Sequence, residues 1–202
     1  MQSPLQLVNY IVLDATRLEH DLETAFSYSS EHVCLYSEEL AKDLRGVAPY
    51  LFDFDATSEF AKWLQTNGFG CSWGIFIQSG VSRNELLRHL QKFILVQTEL
   101  KEEFFFRFYD PRVLSVFLPT CTSEQLREFF GPIRYFYSEN EDGLSIIRWS
   151  LQNDQLKTEV LSIDVYASVS SESAGTIALK DDPILTIKPN PSPPLKGNSW
   201  ID

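Results

Sequence analysis

Short apolar runs of strand length alternate with stretches whose apolar residues recur every three or four positions, and this alternation continues from residue 9 to about residue 137. Residues 9–15 (NYIVLDA) are β-branched and apolar enough for a buried strand. Thr16 and Glu19 then have the spacing of a capping box opening a helix with Leu18, Leu22 and Phe26 on its inner face. After a mixed connection through Leu40 and Leu44, residues 49–54 (PYLFDF) read as a second buried strand, followed by a short helix over about residues 57–66 that Asn67 to Gly70 closes. Residues 71–78 (CSWGIFIQ) form a third strand signal. Ser82 and Glu85 repeat the capping-box spacing, and Leu86, Leu87, Leu90, Phe93 and Ile94 follow as one helical stripe.

The next segment carries most information. Residues 104–109 (FFFRFY) read as a strand with Phe104, Phe106 and Phe108 on one face and Phe105, Arg107 and Tyr109 on the other, which predicts cover on both faces. Asp110 and Pro111 are the N-cap and first-turn residues of a helix reaching about Leu118, because the carboxylate accepts an orphan N–H and proline has none to lose. Thr122 and Gln125 make a third capping box. Leu126, Phe129 and Phe130 share a face, Gly131-Pro132 ends that helix, and residues 133–137 return as a strand. Residues 144–151 and 156–165 then read as a hairpin around Asn153-Asp154. From Ala167 onward, Ser-rich sequence and PNPSPP at residues 189–194 suggest a partly extended appendage ending in a loose tail. There is no internal repeat.

This order predicts an α/β fold: a mixed sheet of about five strands with flanking helices, plus a small β-rich C-terminal appendage. The corresponding division is a core at residues 1–138, a hairpin and appendage at 139–188, and a flexible Pro-rich tail at 189–202. At 202 residues the chain is long enough for one domain with a sizeable core. Its 28 acidic against 17 basic residues give a net charge of -11, a field that repels phosphate backbones and anionic lipid, so no nucleic-acid partner is expected. No run approaches the roughly 18 apolar residues of a membrane helix, and residues 1–7 lack the basic and apolar blocks of a secretory signal; no membrane insertion and a cytoplasmic location are expected. Cys34, Cys71 and Cys121 are odd in number and far apart, which suits reduced core thiols better than disulfides.

Few residues suggest chemistry. Gly68-x-Gly70-x-x-x-Gly74 resembles a dinucleotide fingerprint in spacing, yet it follows a helix and leads into a strand, the reverse of the required context, so a loop is the better reading. Asp53 and Asp55 at a strand end could hold a divalent ion, although strand-end aspartates more often finish the strand and favour the next helix. His32-x-Cys34 lacks two further zinc ligands, His20 and His89 lack an i+4 partner histidine, and His89 reads as a packing residue. Neither a cofactor nor a metal is implied. Arg107, Asp110 and Arg112 remain: two guanidinium groups and a carboxylate at a strand-to-helix junction form either an internal brace or a set of forked donors for a partner. A positive charge in the first turn of a helix opposes its dipole, so Arg112 needs a carboxylate nearby in either case.

The blocks RFYDPRVL (residues 107–114) and FFGPI (129–133) resemble the signature of the bacterial type VI secretion effector adaptors, a family first described as a domain of unknown function. YIVLDA (10–15), APYL (48–51) and ELLRHL (85–90) fall in the order that family shows, so the resemblance covers about residues 9–137. It departs from the pattern at Gln91, where arginine is expected, and at Ala15-Thr16, where glycine is common. The resemblance implies a protein that is not an enzyme: an adaptor and chaperone that binds a toxic effector in the producing cell and helps load it on the valine-glycine-repeat spike protein. From other classes, the rivals are a metal-dependent glycosyltransferase-like enzyme using Asp53 and Asp55, and an immunity protein that blocks one toxin.

Overall fold

Strand β1 (Tyr10–Asp14) is buried along its whole length because it has a hydrogen-bonded neighbour on each side and side chains packed on both faces. The computed structural model describes residues 5–29, 31–97 and 103–162. In chain order, β1 leads into the single-turn helix α1 (Ala15–Leu18) and helix α2 (Leu22–Tyr28), and then β2 (His32–Cys34), α3 (Glu38–Leu44) and β3 (Pro49–Asp53). Helix α4 (Glu59–Asn67), β4 (Gly74–Ser79), α5 (Arg83–Gln91) and a small ribbon, β5 (Leu95–Gln97) with β6 (Glu103–Phe105), come next. Helices α6 (Pro111–Phe117) and α7 (Ser123–Phe130) precede β7 (Ile133–Glu139), β8 (Ser145–Gln152) and β9 (Gln155–Ser162).

The chain is α/β as expected, and its main sheet has seven strands in the order β2-β3-β1-β4-β7-β8-β9. Four of the five expected strands lie in it as β1, β3, β4 and β7, and the segment at 104–109 does not. Three more join: the edge strand β2, and β8 and β9, which the sequence pattern assigns to an appendage and which continue the sheet beyond β7. Every pair in it is antiparallel. The β3–α4–β4 unit does return parallel, as alternating strands and helices suggest, but β1 lies between its two strands and runs against both, so their direction never appears as a parallel ladder.

Register places Ile11, Leu13, Phe52 and Phe76 on one face and Val12, Leu51, Ile75, Ile77 and Phe136 on the other. Helices α2 and α4 cover the first face, with Phe26 edge-on to Tyr50 at 4.8 Å and Phe60 5.3 Å from Phe52. The second face receives α5, α6 and α7 through Phe129, whose ring stacks on Phe136 at 5.2 Å and meets Phe93, Phe108 and Phe117. Each such fully buried aromatic contributes about 2–3 kcal/mol of transfer free energy. At Gly74 β4 runs so close to β1 that a Cβ would sit 2.0 Å from the Val12 carbonyl oxygen.

Several boundaries move for identifiable reasons. Asp14, not Thr16, caps the first helix by accepting from the Thr16 N–H, and Glu19 (φ 50°) breaks that helix after one turn. The strand expected over residues 104–109 stops at Phe105, since Phe106 N–H already bonds the Ile94 carbonyl and the chain turns through Asp110 N–H to Arg107 carbonyl. Its two faces are not both covered: Phe104 and Phe105 are exposed, whereas Phe108 and Tyr109 are buried. The third strand starts at Gly74 rather than Cys71, after a turn in which Gly70 and Ser72 both take positive φ. Helix α3 and the edge strand β2 occupy what read as a mixed connection. The capping box at Thr122 and Gln125 is complete, with both reciprocal bonds made. Residues 163–165 of the expected hairpin, the appendage from Ala167 and the tail at 189–202 lie outside the described residues.

Candidate functional site

Asp110 is the N-cap of α6 and nearly solvent-free at 2% exposure. Its Oδ1 accepts from the Arg112 backbone N–H at 3.0 Å and from Arg112 Nε at 2.9 Å, and its Oδ2 accepts from Arg112 Nη2 at 2.6 Å. Arg112 therefore folds back on its own helix cap in a forked pair, and Asp110 is the carboxylate that a cation in a first turn requires. Burial pushes the Asp110 carboxyl up, but the Arg112 hydrogen bonds and charge outweigh it and hold the group below the usual carboxylate range.

Arg107, three residues earlier, reaches across the fold. Its Nη2 donates to Oδ2 of Asp14, a fully buried carboxylate at the end of β1, whose Oδ1 accepts from the Thr16 N–H. The two pairs repeat one device: a buried aspartate caps a helix with Oδ1 and accepts an arginine Nη2 on Oδ2, and at Asp110 the Arg112 Nε shares Oδ1 as well. They lie close enough that each arginine also feels the other's aspartate. Tyr109 and Tyr36 complete the cluster, and burial pushes the phenols of both upward, Tyr109 strongly, so both stay neutral beside the two ion pairs. Both carboxylates are thus committed internally, while the outer edges of Arg107 and Arg112 remain 39% and 56% exposed.

Sequence reasoning found Arg107, Asp110 and Arg112 and the structure brings all three together. It missed Asp14 and Tyr36. A carboxylate closing an otherwise apolar strand signals a buried charge in need of a cation, but Asp14 and Arg107 are 93 positions apart and no pattern in the sequence pairs them.

The ribbon β5–β6 leads directly into this cluster. Leu95, Phe104 and Phe105 are 37%, 50% and 43% exposed, a grouping of large apolar side chains on one small hairpin. Register sets Phe105 beside Leu95 on one face of the ribbon and Phe104 beside Val96 on the other. Phe105 leans on Tyr36 at 5.0 Å and Phe106 on Phe117 at 4.6 Å, so the ribbon is anchored to the core while each face keeps a partly exposed ring.

The remaining candidates resolve into local roles. Asp53 pairs with Arg83 at 3.0 Å, and Asp55 turns onto Thr57, accepting from its N–H and hydroxyl at 2.8 Å each, so the two carboxylates serve different partners. His89 packs edge-on to Phe93, bonds the Phe129 carbonyl at 2.9 Å, and is held below its ordinary pKa by burial. His32 stacks on Phe26 at 4.0 Å. The cysteines are free; Cys34 and Cys121 are partly covered, and burial pushes the Cys121 thiol up to about 12, but Cys71 is exposed rather than a core thiol. Among the described residues, no three His, Cys, Asp or Glu side chains gather closely enough to hold a metal ion. An apolar cleft of about 80 Å³ between β1, β4 and α4, walled by Ile11, Leu64, Trp73 and Phe76, is far smaller than the several hundred Å³ of a nucleotide site. No helix among the described residues is long and apolar enough to cross a membrane.

No curated protein and no solved structure matches the chain. The model of the family described as "Domain of unknown function (DUF4123)" does match, over residues 9–128. That span is more than half the chain and contains β1, the ribbon, the Asp14–Arg107 pair and the whole Arg107–Arg112 signature. The chain belongs to the DUF4123 family, that of the type VI secretion effector adaptors.

Proposed function

We propose that the protein is a non-enzymatic adaptor and chaperone that binds a type VI secretion effector in the cytoplasm of the producing cell and helps load it on the valine-glycine-repeat spike protein. The observation that carries this reading is the family match over the signature region. Two features of the geometry support it. The polar groups of the signature are spent on bracing: Asp14 and Asp110 each hold a helix cap and an arginine, an arrangement that fixes a surface rather than one that moves protons. Beside that brace, Leu95, Phe104 and Phe105 present apolar area to solvent without collapsing onto it, as a surface built for a protein partner does.

The test is co-purification of the tagged chain from its native host, with identification of what stays bound. A type VI effector and the spike protein are the expected companions, and Phe104→Ser with Phe105→Ser should release the effector from a chain that still folds, its melting temperature lowered only by the lost contact of Phe105 with Tyr36. Metal-dependent turnover lost on replacing Asp53 and Asp55 would instead establish the enzyme, and capture of a toxin made by a competitor would establish an immunity protein.

A further inference from the structure

The main sheet ends differently on its two sides. Strand β2 offers an edge of three residues, whereas β9 offers eight, in unbroken register with β8 from Gln152↔Gln155 to Ser145↔Ser162 and mostly exposed. Neither proline, glycine nor a bulge interrupts β9, and its two charged residues, Lys157 and Glu159, are of opposite sign. The turn before it decides which backbone groups face outward. Asn153 and Asp154 take φ of 51° and 59°, a two-residue turn whose flanking residues exchange both hydrogen bonds. Alternation then commits Gln155, Lys157, Glu159 and Leu161 to β8 and leaves the N–H and C=O of Leu156, Thr158 and Val160 pointing away from the sheet.

We infer that this edge docks a second copy of the chain, β9 against β9, antiparallel across a two-fold axis at Thr158. Three registers use most of the strand, and charge chooses between them. Centring on Lys157 sets lysine against lysine, and centring on Glu159 sets glutamate against glutamate, both unfavourable. Centring on Thr158 sets Lys157 against the partner's Glu159, Leu156 against the partner's Val160, and Thr158 against its own copy, each mixed pair occurring twice by symmetry. In that register every outward-facing residue meets another one, giving about six backbone hydrogen bonds across the axis. Val160, 61% exposed in the monomer, gains an apolar neighbour, and Glu159, already paired with Arg148, takes Lys157 on its other side.

The test is a charge-complementation experiment on the full chain, read as mass by light scattering. The wild-type chain is expected at twice the monomer mass. Lys157→Glu alone and Glu159→Lys alone each place like charges in both mixed pairs and should raise the dissociation constant about tenfold or more. An equimolar mixture of the two variants restores opposite charges in every pair and should recover the dimer as a heterodimer. As a geometric check, Thr158→Cys in a Cys71→Ser background should form an intermolecular disulfide, since opposed residues in a hydrogen-bonded pair have Cα atoms about 5.5 Å apart. A wild-type chain that is monomeric at every concentration overturns the inference, and β9 amides protected from exchange in that monomer would give the edge to another part of the same chain. A dimer indifferent to both charge changes overturns it as well, by placing the interface elsewhere.

Discussion

Two arginine clusters stand at opposite ends of β1, and they divide their burial in opposite ways. At the C-terminal end the carboxylates are hidden, with the Asp14 side chain at 0% and that of Asp110 at 3% exposure, while Arg107 and Arg112 reach solvent. At the N-terminal end the arginine is the enclosed member: Arg83, 23% exposed, lies across Glu31 and Asp53, which are 67% and 53% exposed. Both look alike as a census of ion pairs. They differ in what remains when one partner is removed, because a buried anion has no water to turn to and an exposed one does.

The largest effect should therefore follow from Arg107→Ala, which strands the Asp14 carboxylate with only its Thr16 cap bond. The expected loss is about 2–3 kcal/mol in urea denaturation, below the full penalty of a buried pair since Arg107 itself is partly hydrated. Arg83→Ala, at the other end of the strand, should cost about 1 kcal/mol or less. Equal losses at the two ends would erase the distinction drawn here.

Asp110→Ala comes next, at about 1–2 kcal/mol, because it removes the cap of α6 and the partner of Arg112 together. Arg112→Glu should cost a similar amount in the isolated protein by setting a second carboxylate against the buried Asp110. An unchanged melting curve for Arg112→Glu would mean that the forked pair contributes nothing to the fold.

The acid limb of stability sharpens the same comparison with smaller effects. Asp110 is held below its ordinary carboxylate value, so its contribution is present above the unfolded pKa of about 4 and is lost as pH falls through the lower folded value. Asp110→Asn should flatten the stability curve in that range. His89 is depressed from 6.5 by burial, so the folded protein favours the neutral ring and stability declines as pH falls below about 6.5. His89→Gln should remove that earlier slope and leave the Asp110 step in place; an unaltered slope would assign it to other groups.

How legible the chain was depends on the range of the interaction. The helix cap at Asp110, the complete box at Thr122 and Gln125, and the Asn153-Asp154 turn are local, and each is written in residues a few positions apart. Residues 104–109 misled because a short aromatic run describes a strand covered on both faces without saying where the strand ends or what covers it; Phe104 and Phe105 are left open and the chain turns at Arg107. Strand order was not legible at all, since insertion of β1 between β3 and β4 is decided by packing at long separation. The same holds for the site: the signature residues were visible as a cluster, but whether Arg107 turns inward depended on Asp14, and no spacing rule connects them.

The account's central claim is that the signature braces a surface whose outer, aromatic part holds the effector. It is tested most directly by measuring how much type VI effector co-purifies with the tagged wild-type chain and with the Phe104→Ser, Phe105→Ser double variant at matched folding. The account predicts near-stoichiometric effector with the wild type and loss of most of it with the variant, which remains cooperatively folded. Effector retained at the wild-type level by the folded variant, or no effector bound to the wild-type chain, would contradict it.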